Sequence, residues 1–373
     1  MVSVLIVNFI FSPIERVIYL AKLKPEVKTL DIDGMSFRDL NKNNELDQYE
    51  DYRINNAQRV EDLILQMTLE EKVGTLFHPP VTINPDWMFR LYSLFVDGGK
   101  LTESEIINQH INHFNLYGNP KPERLAKRLN SLQKIASRSR LGIPVTISSD
   151  PIHEVPNGGG VASFSLDGFS KWPSQLGLAA SQNPSLVKQF AEIAREEYLA
   201  VGIRTALHPM ADLATEPRWA RNFGTFGSDN VLSSKLTMAY MDGFQGKTID
   251  SQSVMTMVKH FPGGGPQENG LDPHLFSGRN QIYPGNMFDY HVKPFIDAIN
   301  NNLAVIMPYY GITVNQTSEN VAIGFNKDLL NTLLRNELRY KGVICSDCGI
   351  NNGRHWGVGD LSIEERYIKA CLL

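Results

Sequence analysis

The sequence predicts an α/β fold, a parallel sheet wound with helices in the manner of a TIM-type (β/α)8 barrel, and three observations predict it. Short apolar runs recur along the chain with amphipathic stretches between them, which is the βαβα pattern that builds parallel sheets. Seven such runs can be counted, one fewer than a closed eight-stranded barrel needs, so the expected barrel is incomplete, with its last strand missing. Polar residues able to do chemistry stand just past the ends of the runs rather than inside them: Asp150, His208, Lys259 with His260, and Asp347. In an α/β barrel the strand C-termini face one shared pocket, so this placement on four strands points to a site rather than to ordinary strand ends.

Taken in order, the expected strands are residues 73–77, 144–148, 177–180, 204–207, 255–258, 304–307 and 343–345. Helical periodicity of apolar residues is clear over 57–67, 124–137, 184–200, 231–244 and 326–338. The expected organisation is an N-terminal extension over residues 1–56 followed by the barrel over 57–373. No internal repeat or low-complexity linker interrupts the pattern.

Composition narrows the partners. The chain is 42% hydrophobic and 20% charged with a formal net charge of -4, which gives no electrostatic case for nucleic acid or for a polybasic membrane contact. A neutral small molecule or another protein is the expected partner. Cys345, Cys348 and Cys371 are too few and too clustered for a disulfide framework. Cys345 and Cys348 form a C-x-x-C, but a zinc site needs a second pair, and residues 342–347 read as a buried strand. The apolar run 4–11 is broken by Asn8 and lacks a basic flank and a small-residue cleavage site. It is too short to span a membrane, and the default expectation is a cytoplasmic protein.

One upstream stretch has metal-ligand spacing. Asp39, Asn41, Asn43, Asp47 and Glu50 occupy positions 1, 3, 5, 9 and 12 of a twelve-residue EF-hand loop, with Glu45 at position 7 and Leu46 supplying the apolar residue at 8. Asn44 stands at the sixth position, where glycine is wanted for a left-handed turn and asparagine is next best. The safer reading is a chance match or a calcium-free turn, because only one good helix flanks it; the alternative is a structural calcium pinning the N-terminal segment to the barrel. No cofactor is expected for catalysis.

Several longer strings carry a family resemblance: Arg59-Val60-Glu61-Asp62-Leu63, Met67-Thr68-Leu69-Glu70-Glu71-Lys72-Val73-Gly74, Leu141-Gly142-Ile143-Pro144, Glu216-Pro217-Arg218-Trp219-Ala220-Arg221, Lys259-His260-Phe261-Pro262-Gly263 and Ser346-Asp347. In this order the chain resembles the family 3 glycoside hydrolases from about residue 38 onward. The resemblance implies that Asp347 is the nucleophile of a retaining β-glucosidase, forming a glycosyl-enzyme with the terminal sugar of a β-glucoside or short oligosaccharide. It implies that Asp150 grips two hydroxyls of that sugar, and that Arg221, Lys259 and His260 donate to the remaining ones while their charge keeps the nucleophile ionised.

The chain departs from the family pattern in two places. Cys348 stands where the family has a tryptophan walling the leaving-group side, which implies looser binding there. The eighth strand and the following sandwich domain, which normally supplies the acid/base glutamate, have no counterpart, so a separate C-terminal domain or a second protomer is an expected partner. Within these residues Asp272-Pro273-His274 is similar to the Asp-x-His acid/base dyad of the family's single-domain β-N-acetylglucosaminidase branch. Its distance from Lys259 is longer than in that branch, and Gly263-Gly264-Gly265-Pro266-Gln267 is more like the glucosidase branch. Three functions follow as expectations: β-glucosidase, β-N-acetylhexosaminidase using Asp272 and His274, or a sugar-binding remnant that needs a partner domain.

Overall fold

The structure, a computed structural model, describes residues 17–83, 101–155 and 166–373. The apolar run at 4–11 lies outside them. The chain divides into two compact units, Met1–Ser149 with Ala200–Ile203, and Asp150–Leu199 with Arg204–Leu373.

The first unit opens on an antiparallel hairpin, β1 (Lys28–Ile32) and β2 (Met35–Asp39). Asp33 and Gly34 turn it with φ of 53° and 75°, the left-handed pair that suits a two-residue hairpin. Helix Asn56–Gln66 is capped by Asn55, whose side chain accepts from the Gln58 amide. Helix Leu69–Gly74 starts with a capping box between Thr68 and Glu71, and Arg140 pairs with Glu71. Three parallel strands follow, β3 (Pro80–Thr82), β4 (His113–Tyr117) and β5 (Thr146–Ser149). Helix Pro122–Ala136, between β4 and β5, buries Leu125, Leu129, Leu132 and Ala136, the three- and four-residue spacing of an amphipathic helix.

The second unit carries four more parallel strands, β6 (Thr205–Ala206), β7 (Met255–Phe261), then, beyond the short β8 (Asn280–Gln281), β9 (Val305–Pro308), and, beyond β10 (Ile312–Thr313), β11 (Val343–Ile344). The order is β6-β7-β9-β11, with Thr205 opposite Met255, and Val305 opposite both Met257 and Val343. The strands β8 and β10 make a separate parallel pair. Helices Asn230–Gln245 and Phe288–Asn300 and the π-helical Asp328–Glu337 supply the connections. Val258, Phe261, Phe295, Ile306, Tyr309 and Phe325 lie in one buried cluster.

The expected α/β class is what forms, and seven strands run in parallel ladders, three in the first unit and four in the second. Two of the expected strands are corrected. Residues 73–77 straddle the end of helix Leu69–Gly74, because the capping box at Thr68 nucleates a turn that the apolar composition alone did not reveal. Residues 177–180 belong to helix Gln175–Ala179. The strands that replace them are β3 and β4. The expectation of a buried strand at 342–347 also fails: Val343 is 59% exposed and Cys345 only partly buried, since β11 stands at the edge of its sheet with β9 as neighbour. Among the described residues no helix is long and apolar enough to cross a membrane.

Candidate active site

The residues of the site belong to the second unit, Asp150 being its first residue. Asp150 leaves the end of β5, Arg221 opens the short 3-10 turn Asn222–Gly224, Lys259 and His260 close β7, Tyr309 and Tyr310 follow β9, and Asp347 follows β11. The ammonium of Lys259, itself buried, donates to Asp150 Oδ1 at 2.9 Å. An ammonium and a carboxylate out of water hold each other firmly because each would be costly alone.

His260 is fully enclosed. Its Nδ1 lies 2.7 Å from Asp212 Oδ2, and the backbone amides of His260 and Gly264 also donate to Asp212. Burial pushes the Asp212 carboxyl up to about 6, with the two backbone amides opposing it. Burial, then the nearby Arg221 guanidinium, drives the His260 imidazole well below its usual value. His260 is therefore neutral at neutral pH, unlike the expectation that its charge steadies the nucleophile; the Arg221 guanidinium is the cation that acts on Asp347. Its Nε2 faces Asp347 Oδ2 at 3.9 Å.

The carboxylate of Asp347 is held by one oxygen. Tyr310 Oη lies 2.7 Å from Oδ1, and the Cys348 amide donates to the same oxygen at 2.7 Å. The phenol also lies 2.8 Å from the Cys348 carbonyl, to which Arg354 Nη1 donates at 3.1 Å. Burial, then the Asp347 charge, raises the Tyr310 phenol far above its ordinary value, so it stays a donor. Arg221 Nη1 donates to Tyr309 Oη at 3.0 Å, and the Tyr309 ring packs on His260 with centroids 4.2 Å apart.

Asp272 and His274 reach the same place. Asp272 Oδ1 accepts from the His274 backbone amide and lies against His274 Nδ1, while Oδ2 accepts from Trp219 Nε1 at 3.1 Å. Burial works to raise the Asp272 carboxyl, but the bond and charge of His274, with Arg221 behind them, outweigh it and hold Asp272 below the usual carboxylate range. The His274 ring meets Tyr310 edge-on at 4.7 Å. Asp150, Arg221, Lys259, His260, Asp272, His274 and Asp347 are thus joined through contacts of the second unit.

His208 is different. Its Nε2 and Nδ1 lie 3.0 and 2.6 Å from the hydroxyls of Tyr198 and Tyr240, so a buried histidine with both nitrogens occupied has none left for a substrate. The residues that sequence reasoning passed over are Asp212, Tyr309 and Tyr310, and Trp219 entered it only as part of the Glu216–Arg221 string, without a role. The two tyrosines stand directly past the apolar run 304–307, the same strand-end position that singled out the others, and were missed because only charged groups and histidines were being sought.

The loop at 39–50 is wound around its own side chains. Asp39 accepts from the amides of Asn43 and Asn44, Asn43 Oδ1 accepts from the Glu45 amide, and Glu50 accepts from the amides of Leu40, Asn41 and Asp47. Asn44 takes φ of 62°, as the sixth position of such a loop requires. The side-chain amides of Asn41 and Asn43 both donate to Asp47. Oxygen-rich and hard, the donor set suits calcium in kind, yet among the described residues no group of three or more His, Cys, Asp or Glu is arranged to hold a metal ion.

Comparison with known proteins shows the family. The family model for the glycosyl hydrolase family 3 N terminal domain matches residues 68–357. Beta-glucosidase C of Emericella nidulans is 46% identical over 322 residues, 83% of this chain and 51% of that protein. The periplasmic beta-glucosidase/beta-xylosidase of Dickeya chrysanthemi is 38% identical over 392 residues, 97% of this chain and 59% of that one. The chain thus spans about half the length of the curated relatives it matches. Among solved structures a β-glucosidase from Erythrobacter marinus superposes with a TM-score of 0.67 at 24% identity, covering 87% of this chain and 40% of that one. A β-N-acetylhexosaminidase from Beutenbergia cavernae does so with a TM-score of 0.62 at 22% identity, covering 82% and 84%; at such identities the likeness is one of fold. Matching motifs, parallel strands and family model together place the chain in glycosyl hydrolase family 3, of which it carries the N-terminal α/β barrel domain.

Proposed function

We propose that the chain forms the sugar-binding and nucleophilic half of a retaining exo-β-glucosidase. The observation that carries this reading is the tethering of Asp347: two donors fix Oδ1, while among the described residues Oδ2 makes no hydrogen bond and has His260 Nε2 at 3.9 Å. A carboxylate with one oxygen anchored and one presented is arranged for bond formation at carbon. Lys259, Asp150 and Arg221 supply donors and acceptors for the hydroxyls of one pyranose.

In the first step a carboxylate oxygen of Asp347 bonds to the anomeric carbon as the bond to the leaving oxygen breaks, and that oxygen takes a proton from a general acid. In the second step the same group removes a proton from water, which attacks the anomeric carbon and releases Asp347. Within this chain His274 is the candidate for the group that gives and takes the proton. Asp272 fixes its Nδ1 tautomer, leaving Nε2 for the transfer. A partner domain or a second protomer supplying a carboxylic acid is the other source. The Asp272–His274 pair also favours a second reading, β-N-acetylhexosaminidase.

Turnover of chromogenic β-glucoside, β-xyloside and β-N-acetylglucosaminide by the pure chain separates these readings. Trapping with an activated 2-deoxy-2-fluoro-β-glucoside tests the nucleophile: the peptide containing Asp347 should gain one fluorosugar, and Asp347→Asn should gain none while folding normally. Labelling of another carboxylate, or near-normal hydrolysis by Asp347→Asn where about a thousandfold loss is expected, would remove Asp347 from this role.

A further inference from the structure

Three donors converge on Asp212, a residue that is 0% exposed. The His260 backbone amide lies 3.1 Å from Oδ1 and 3.2 Å from Oδ2, the Gly264 amide donates to Oδ1, and His260 Nδ1 lies 2.7 Å from Oδ2. The turn is shaped around these contacts. A Cβ at Gly264 would meet Asp212 Oδ1 at 2.9 Å and the Tyr309 ring at 2.8 Å, so glycine is what lets this amide reach the carboxylate. With the Tyr309 ring packed on the imidazole and Asp212 on its Nδ1, His260 is held in one orientation.

This arrangement decides where the His260 proton sits. Although burial pushes the Asp212 carboxyl up to about 6, it is ionised at neutral pH and can only accept. The buried, neutral imidazole carries a single proton, and the nitrogen that lies against a carboxylate keeps it. Nδ1 is then the donor, and Nε2 is a bare lone pair. That lone pair faces Asp347 Oδ2 at 3.9 Å. Two acceptors therefore border the same gap, and neither can give the other a proton.

Resting on the glucosidase reading, we propose that Asp212 is a positioning residue that makes His260 a hydrogen-bond acceptor, so that the sugar hydroxyl reaching His260 gives its proton instead of receiving one. The direction is the reverse of that implied by the family resemblance, in which His260 donates. It has a consequence for selectivity. A hydroxyl both donates and accepts, whereas a substituent that only accepts, such as fluorine, satisfies a donor and leaves a lone pair unmet. The site thus demands a true hydroxyl at that place.

Long-range proton–nitrogen correlation spectra of the full chain with nitrogen-15-labelled histidine, recorded at neutral pH without ligand, read the tautomer directly. The ring that disappears in His260→Gln assigns the signal. Wild type should carry the proton on Nδ1. Asp212→Asn keeps an oxygen for the two backbone amides and turns an amide nitrogen to the imidazole, so it should move the proton to Nε2. An aspartate with a merely structural role would leave the tautomer alone. The wild-type spectrum decides by itself should the variant fail to fold: a proton on Nε2, or on both nitrogens, overturns the proposal and leaves the glucosidase reading intact. An unchanged tautomer in a folded Asp212→Asn does the same.

Calorimetric titration with glucose and its monodeoxy and monodeoxyfluoro analogues tests the consequence. At the hydroxyl that meets His260, either replacement should weaken binding by wild type about tenfold. In Asp212→Asn the fluoro analogue at that position should regain affinity and the deoxy analogue should not. If no position shows this change between the two proteins, the acceptor role is overturned. Wild type that binds no glucose overturns the glucosidase reading, and the role toward the sugar with it, whatever the tautomer.

Discussion

Tyr310 Oη stands 2.7 Å from Asp347 Oδ1, and it does so although the two residues leave different strands. Together with the Cys348 amide on the same oxygen, this fixes the rotation of the carboxylate about its Cβ–Cγ bond. Tyr310→Phe keeps the ring packing on His274 and removes only the hydroxyl. The expected result is a kcat lowered about ten- to a hundredfold on a chromogenic β-glucoside with little change in KM, the signature of an interaction serving the transition state. An unchanged kcat would show that the amide alone orients Asp347.

The Lys259–Asp150 pair yields a prediction about stability. Lys259→Met leaves a nearly buried carboxylate without its ammonium, and a loss of about 3 kcal/mol should appear in urea unfolding. Asp150→Asn combined with Lys259→Met should cost less than the two single changes added together, because the residues couple directly. Strict additivity would mean that the pair contributes nothing as a pair.

The buried histidines set the acid limit. Burial holds His78 and His291 at about 4, and His113, His153, His208 and His260 are also lowered, burial being the first cause for each. A depressed histidine pKa means that the unfolded chain takes up protons first, so stability is complete above about 6.5 and is lost as pH falls from there toward the folded values. Each group contributes a slope of about 1.4 kcal/mol per pH unit within its own window. Asp212 acts oppositely: raised to about 6 by burial, its contribution is full below its usual value and is lost as pH rises through 6. Asp212→Asn should therefore fall in melting temperature more steeply than wild type between pH 6 and 4. Parallel curves for the two proteins would contradict the assignment.

A calcium-binding role for the loop at 39–50 makes a separate prediction. Millimolar calcium should raise the melting temperature, excess chelator should lower it, and Asp39→Ala should erase the difference, since a ligand that binds only the folded state stabilises by mass action. Equal melting with calcium and with chelator would mean that the hydrogen bonds among Asp39, Asn43, Asp47 and Glu50 hold the loop unaided.

Much of the site was legible in the sequence because its charged residues follow strands with strong apolar signatures. The run 255–258 announced β7, and Lys259 and His260 came with it. The strand β4 was not legible: His113 and Asn115 interrupt its apolar pattern, and they are tolerated because the His113 ring lies 6.3 Å from His78 and Asn115 Oδ1 accepts from Ser148 Oγ at 3.0 Å. Polar pairing inside the sheet replaced the periodicity that sequence reading relies on. The run 73–77 failed for the opposite reason. Val73, Leu76 and Phe77 look like a core strand, yet all three are exposed on a short helix and the turn that ends it, and composition cannot distinguish an apolar surface from an apolar interior. Asp212 was invisible because its worth comes from His260, which lies 48 residues away in the chain.

Tyr309 and Tyr310 are consecutive, yet one serves the cation Arg221 and the other the anion Asp347. The end of β9 thus works as a two-way switchboard whose wiring is written in the parity of the chain: sliding it by a single residue would turn each phenol away from its own partner. An evolving or redesigned version can exchange either ring for another side chain, but it cannot insert or delete one residue between Val305 and Tyr310 without moving both phenols off their partners.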